Sequence, residues 1–177
     1  MDNNDITEIK KITEDDDNKR VIVIQKVARD RMITNENSWE LNEDDYDSNK
    51  QYKILIKENT DDIIFKLMDR EIKKKISGYR CQDRKKNKYN EAKFIDDIFI
   101  TNKLLDSSFN CYYCRCNVLV LYKTVRAPNQ WSVERLNNDF GHNKDNIVIA
   151  CLSCNLRRKT MYHERFRFTK QVKIIKK

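Results

Sequence analysis

"CYYC" at positions 111 to 114 and "CLSC" at 151 to 154 constrain this chain more than any other feature in it. In each pair, two intervening residues let both thiolates of a tight turn reach one ion, and two such pairs complete the closed tetrahedral four-sulfur shell that suits structural zinc. Cys111, Cys114, Cys151 and Cys154 are therefore the expected zinc ligands. Cys116 leaves one alternative, a pair formed by Cys114 and Cys116. CxxC is the commoner knuckle, which makes Cys116 a small buried side chain and the remote Cys81 a free thiol. The chain needs a staple of this kind. Hydrophobic residues make up 39% and charged residues 36% of its 177 positions, with a mean hydropathy of −0.86, so apolar burial alone gives a thin core. Structural zinc contributes on the order of 10–16 kcal/mol to small peptides at neutral pH, enough to organise such a chain.

Between the cysteine pairs the pattern is local and readable. "QWSVERL" (130 to 136) alternates in strand fashion, "NNDFGHNKDN" supplies turn residues around Gly141, and "IVIA" (147 to 150) reads as a short buried strand. "CLSCNLRRKTMYHERF" then reads as a helix that begins at the second knuckle. Strand, loop, strand and helix with a knuckle at each end make a zinc-stapled ββα element. Trp131, Phe166 and Phe168 are expected in its core, while Arg157, Arg158 and Lys159 are expected to face phosphate, with Arg165 and Arg167 extending that surface.

The segment from Cys111 to about Arg158, roughly a third of the chain, resembles the HNH (ββα-metal) endonuclease superfamily. The resemblance is to the four-cysteine zinc branch typified by phage recombination endonuclease VII, which has HNH homologues in phages and large DNA viruses. It rests on an ordered string: Trp131-Ser132, Glu134-Arg135, Asn138, Gly141-His142, Asp145-Asn146-Ile147-Val148 and Cys151-x-x-Cys154-Asn155. Each piece alone is weak evidence, and the combination is specific. The resemblance implies hydrolysis of a nucleic-acid phosphodiester with one catalytic divalent ion, magnesium or manganese. It makes Glu134 the acidic ligand of that ion and Asn155 its second ligand, and it gives Asn146 the task of ordering the loop or orienting the catalytic group. A carboxylate and a carboxamide oxygen are hard ligands that leave positions open for water and phosphate. Zinc closed by four thiolates is structural only.

One departure from that pattern matters. The residue after the acidic ligand is Arg135, where the family carries a general-base histidine. Arginine stays protonated and accepts no proton, although it can hold a phosphate or stabilise transition-state charge. His142, in the loop between the two strands, is the candidate substitute base, since a neutral imidazole titrates near pH ~6.5. The plainer alternative is a loop histidine making one structural hydrogen bond. His163 lies about 12 Å beyond Asn155 along a continuous helix at ~1.5 Å per residue, too far to share its ion. Lys159, one turn after Asn155, is no ligand either.

The remainder of the chain is less explicit. Residues 1 to 60 carry fifteen acidic against ten basic residues, leaving thirteen against twenty-six in residues 61 to 177, so the overall charge of +8 is concentrated after the acidic stretch. The basic part is suited to a polyanion, and equally to a solvated surface. Residues 1 to 20 lack periodicity and are expected to form a mobile tail; "RVIVIQKV" (20 to 27) and "QYKILIKE" (51 to 58) read as short strands. Asn59 or Thr60 caps a predicted helix whose apolar face is Ile63, Ile64, Leu67, Met68, Ile72 and Ile76, and Gly78 ends it. A second helix is predicted within "NEAKFIDDIFITNKLLDSS" (90 to 108). The connection "YRCQDRKKNKYN" offers Arg80, Arg84, Lys85 and Lys86 to a phosphate backbone and Tyr79 or Tyr89 to a base, or is a solvated linker.

The expected fold class is thus α+β: an acidic, partly disordered or short-stranded N-terminal extension (1 to 60), a basic helical segment (61 to 107), a zinc-stapled, treble-clef-like HNH ββα-metal module (108 to 168) and a basic tail (169 to 177). The expected function is a metal-dependent endonuclease acting on DNA, with two alternatives: a catalytically decayed, zinc-stabilised DNA-binding module, or a structural viral or nucleoid protein. No signal sequence opens the chain, and no apolar run reaches the roughly 20 residues that span a bilayer, so the expectation is a soluble, non-secreted protein of the cell interior, or of the host cytoplasm, nucleus or virion if viral. The expected partner is nucleic acid, DNA in the endonuclease reading, with no membrane, and the expectation admits either a monomer or a dimer.

Overall fold

The structure, a computed structural model, describes residues 6–14, 20–28, 39, 41–57 and 62–172. The chain divides into two compact units, Met1–Glu40 with Tyr122–Ala127, and Leu41–Leu121 with Pro128–Lys177. In the first unit, strand β1 (Ile6–Glu14) pairs antiparallel with β2 (Arg20–Ala28), in a register running from Ile6 opposite Ala28 to Glu14 opposite Arg20. The mobile tail expected over residues 1 to 20 is therefore corrected across Ile6–Glu14. That segment has no apolar alternation of its own, and its ladder is supplied by the β-branched run "VIVI" of β2. Trp39 of the same unit is buried and meets Tyr122 edge-on, ring centroids 6.2 Å apart.

The second unit is built on helices. Helix α1 (Ser48–Lys57) replaces the strand expected over 51 to 58. The reason is one buried residue. Gln51 is wholly enclosed and satisfies its amide completely: Nε2 donates to the Asp45 and Leu121 carbonyls at 2.8 Å each, and Oε1 accepts from the Val120 and Leu121 amides at 2.9 and 3.1 Å. With Leu55 buried one turn later, the inward face has helical rather than alternating spacing.

Helix α2 (Ile63–Lys85) starts at Asp62, whose Oδ1 accepts from the Ile64 and Phe65 amides. The caps expected at Asn59 or Thr60 lie outside the described residues. Met68, Ile72 and Ile76 are buried one turn apart, whereas Ile63 is exposed. Gly78 does not end this helix. It sits on the solvent side with nothing within 4 Å of a Cβ, where glycine weakens a helix by about 1 kcal/mol without breaking it. The inward stripe continues through Tyr79 to the wholly buried Asp83, so most of the supposed linker is helix, and Lys86 caps it.

Helix α3 (Asp97–Asp106) is capped by Asp96, which accepts from Phe99 N at 2.7 Å. Phe94 and Ile95, expected inside this helix, are buried ahead of it; Phe94 bridges to Asn143, and Ile95 N donates to His142 O. The strands β3 (Trp131–Arg135) and β4 (Ile147–Cys151) then pair antiparallel, Trp131 opposite Cys151 and Arg135 opposite Ile147. Helix α4 (Leu152–Arg158) follows directly, with Cys151 as its N-cap. The single helix expected from 151 onward is broken at Lys159, whose φ of 51° lies in the left-handed region, and a separate α5 (His163–Gln171) follows. Trp131 and Phe166 are core as expected; Phe168 is 68% exposed and is not. The protein is thus mixed α and β, with two-stranded sheets and helices. Among the described residues no helix is long and apolar enough to cross a membrane.

Candidate metal centre and adjoining cavity

The ligand-capable sulfurs of Cys111, Cys114, Cys151 and Cys154 all lie within 4.8 Å of one another. Four sulfurs about 2.3 Å from a central zinc sit about 3.8 Å apart, so the cluster has the dimensions of such a site. Its two halves are held by backbone. In the first knuckle Cys111 N donates to Cys116 O, Arg115 N donates to Cys111 O, and Arg115 turns the chain at a φ of 63°. Tyr112 N donates to Ile149 O at 2.9 Å, fastening this knuckle to β4. In the second, the Cys154 amide points at Cys151 Sγ, 3.4 Å away. Burial and then the neighbouring sulfurs push the Cys154 thiol upward, so four thiolates coexist here only around a cation. Cys116 departs from expectation: it is exposed, and its Sγ lies 3.3 Å from that of Cys114. Cys81 is an exposed free thiol on α2, as its remoteness implied.

Beside this cluster, α2, β3, the β3–β4 loop and α4 enclose a cavity of about 430 Å³, lined among others by Lys75, Tyr79, Glu134, Arg135, His142, Asn155 and Lys159. Strand β3 contributes Glu134 and Arg135, and α4 contributes Asn155, so the ββα order brings these sequence-distant groups to one hollow. Asn155 Nδ2 donates to Ser132 Oγ at 3.1 Å and to Val133 O at 3.3 Å, which leaves Oδ1 as its ligand-capable atom. Asn146 lies under the loop: Nδ2 donates to Asn137 O and Gly141 O, and Oδ1 accepts from Asn137 N. It orders the loop and does not line the cavity.

Glu134 is buried, and so is its partner, Arg158. Arg158 Nε and Nη2 both meet Glu134 Oε1, while Nη2 also donates to Arg135 O and Asn138 Oδ1 and Nη1 donates to Met161 O. Burial raises the Glu134 carboxyl above its ordinary range, and the guanidinium in contact opposes that shift. Arg158 is thereby removed from the expected phosphate-facing set: its hydrogen-bonding groups are spent inside. Arg157 on α4 and Lys159 just after it remain exposed, as do Lys85 at the end of α2 and its cap Lys86. Arg80 and Arg84 are exposed too, with their guanidinium carbons 5.3 Å over the Phe94 ring and 4.8 Å over the Tyr89 ring.

His142 is 4% exposed. Its ring stacks on Tyr79 with centroids 4.4 Å apart, so Tyr79, one of the two tyrosines offered to a base, stacks on this imidazole. The Tyr79 hydroxyl accepts from Val133 N at 3.0 Å and ties the stack to β3. Asp83 grips the histidine twice: Oδ2 accepts its backbone amide at 2.6 Å, and Oδ1 lies 2.9 Å from Nδ1. Burial holds the imidazole below its ordinary range, against the raising pull of Asp83. Sequence reasoning missed Asp83 and the true role of Tyr79. The one available signal was the continuation of the α2 stripe past Gly78, at positions 79 and 83. His163 lies outside this cavity and lines a different hollow with Asp139 and Tyr162.

No family model matches the chain, and no solved structure matches it. A stretch of 65 residues is 40% identical to an uncharacterized protein of Acanthamoeba polyphaga mimivirus. It covers 36% of this chain and 10% of that protein, so the match extends over a small part of the viral relative's length.

Proposed function

We propose that this protein is a metal-dependent endonuclease of the HNH type that hydrolyses DNA phosphodiester bonds. The observation that carries the reading is the meeting of Glu134, His142 and Asn155 in one basic-rimmed cavity beside a four-cysteine cluster. Glu134 Oε2, the carboxylate oxygen Arg158 does not take, and Asn155 Oδ1 are the two hard oxygens that would hold magnesium or manganese. Such a cation, when bound, polarises the scissile phosphate. His142 accepts the proton of the attacking water. Arg135 and Lys159, both lining the cavity, hold phosphate oxygens. Zinc, closed by the four cysteines, supports the fold and takes no part in hydrolysis.

A second reading, a zinc-stabilised nucleic-acid-binding module without cleavage, is favoured by one feature: the buried Arg158 neutralises the carboxylate that would hold the cation. The two separate in one experiment. Zinc-loaded protein is incubated with duplex, branched and single-stranded DNA, with and without magnesium or manganese, beside Glu134→Gln, which keeps an acceptor for Arg158. Cation-dependent cleavage that disappears in Glu134→Gln supports the nuclease. Binding without cleavage on every substrate selects the module.

A further inference from the structure

The zinc-stapled segment does not contain the whole of its candidate site. His142 is held by a carboxylate 59 residues earlier in the chain, on a helix outside the ββα element. From this geometry we infer that Asp83 is a positioning residue: by accepting Nδ1–H it fixes the tautomer of His142 in which Nε2 is the bare, proton-accepting nitrogen. The inference rests on the nuclease reading only for its effect on rate; the tautomer itself is independent of it.

Three observations carry it. First, both carboxylate oxygens of Asp83 are spent on one residue, Oδ2 on the His142 backbone and Oδ1 on its ring, so position and rotation are fixed together. Second, Asp83 is wholly enclosed, and a carboxylate is enclosed at such a place only if its hydrogen bonds are met. A carboxylate accepts only, which makes Nδ1 the donor of a neutral imidazole. Third, the approach is prepared on both sides. A Cβ on Gly141 would collide with the Lys88 carbonyl and stand 2.7 Å from Asp83 Oδ2, so only glycine lets the loop come this close to α2. Tyr79, one turn before Asp83, lies flat against the imidazole and prevents it from tipping.

A salt bridge that merely docks the loop would hold an imidazolium, protonated on both nitrogens and with no acceptor left on the ring. The dyad described here leaves Nε2 as the imidazole's only acceptor, and His142 is among the residues that line the cavity. Asp83 and Tyr79 of α2 touch the ring, and the charges of Arg135 on β3 and of Lys86 just beyond α2 act on it from farther off.

The chain has only two histidines, which makes a direct measurement practical. Long-range proton–nitrogen correlation spectra of the zinc-loaded protein at pH 7.5, assigned with His163→Gln, should show a protonated Nδ1 and an unprotonated Nε2 for His142. In Asp83→Asn the amide can donate to Nδ1, and the proton should move to Nε2. Cleavage should then fall on the order of 10²–10⁴-fold, the span of general-base assistance. Log rate in that variant should also keep rising with pH where the parent is level, as hydroxide substitutes for the lost base. A proton on Nε2 in the parent overturns the inference even if Asp83→Asn does not fold. So does an unchanged tautomer in a folded Asp83→Asn, or cleavage by that variant at the parent's rate. If the parent cuts nothing, the nuclease reading fails while the spectra still decide the role of Asp83.

Discussion

At the scale of single residues, the molecule distinguishes charges that hold structure from charges that meet solvent. Arg158 and Lys159 are adjacent in sequence, yet one is 3% exposed and the other lies open on the surface. Sequence reading grouped them because a basic run gives no sign of which member turns inward; only the position of Glu134 on the facing strand decides it. Arg158→Met should therefore cost about 3–5 kcal/mol in urea unfolding of the zinc-loaded protein, because Glu134 is left charged and unpaired. Arg157→Met should stay within about 0.5 kcal/mol. Equal, small effects from both would contradict the buried pair. A pH dependence follows from His142. Its folded pKa is depressed by burial, so the unfolded chain binds the proton more readily, and the stability present above the ordinary value near ~6.5 is lost as pH falls through it toward the folded value. Between pH 7 and 5 the urea midpoint of the parent should drop more than that of His142→Gln. Parallel curves would show that the histidine titrates alike in both states.

At the scale of elements, the parts legible in the sequence were those whose signal is local. The two cysteine pairs, the strands on either side of Gly141 and the inward stripe Met68, Ile72 and Ile76 each lie within a few residues of their own evidence. What escaped depends on distant partners. Gln51 is inward because of the carbonyl and amide groups of residues 120 and 121, and nothing between 51 and 58 announces them. The helix α2 runs past Gly78 because packing of its other face outweighs one glycine. The two glycines test this account with opposite signs. Gly78→Ala should stabilise by about 0.5–1 kcal/mol, since it removes backbone freedom and meets nothing. Gly141→Ala should destabilise by about 1–3 kcal/mol, since the loop must back away from Lys88 and Asp83. Thermal melts in matched buffer compare the pair; a stabilising Gly141→Ala would refute the close approach.

At the scale of the whole molecule, an apolar core that includes Met68, Ile100, Phe109 and Trp131 is joined, among the described residues, by specified contacts: the four-cysteine cluster, the enclosed Gln51, the Glu134–Arg158 ion pair and the Asp83–His142 dyad. Stoichiometric removal of metal by a chelator should accordingly lower the melting temperature sharply and release the β3–β4–α4 segment to proteolysis, and an unchanged melt would contradict a structural role for the cluster. The dyad joins α2 to the loop that bears the candidate base, so the proposed site draws on residues outside the ββα element recognisable in the sequence. The central claim, that this cavity cuts DNA and that His142 supplies the base, is tested most directly by single-turnover cleavage of duplex and branched DNA by zinc-loaded protein in magnesium or manganese, parent against His142→Ala. The account predicts cation-dependent cleavage by the parent and a loss on the order of 10²–10⁴-fold in the variant. No cleavage by the parent on any substrate, or equal rates in the two proteins, would contradict it.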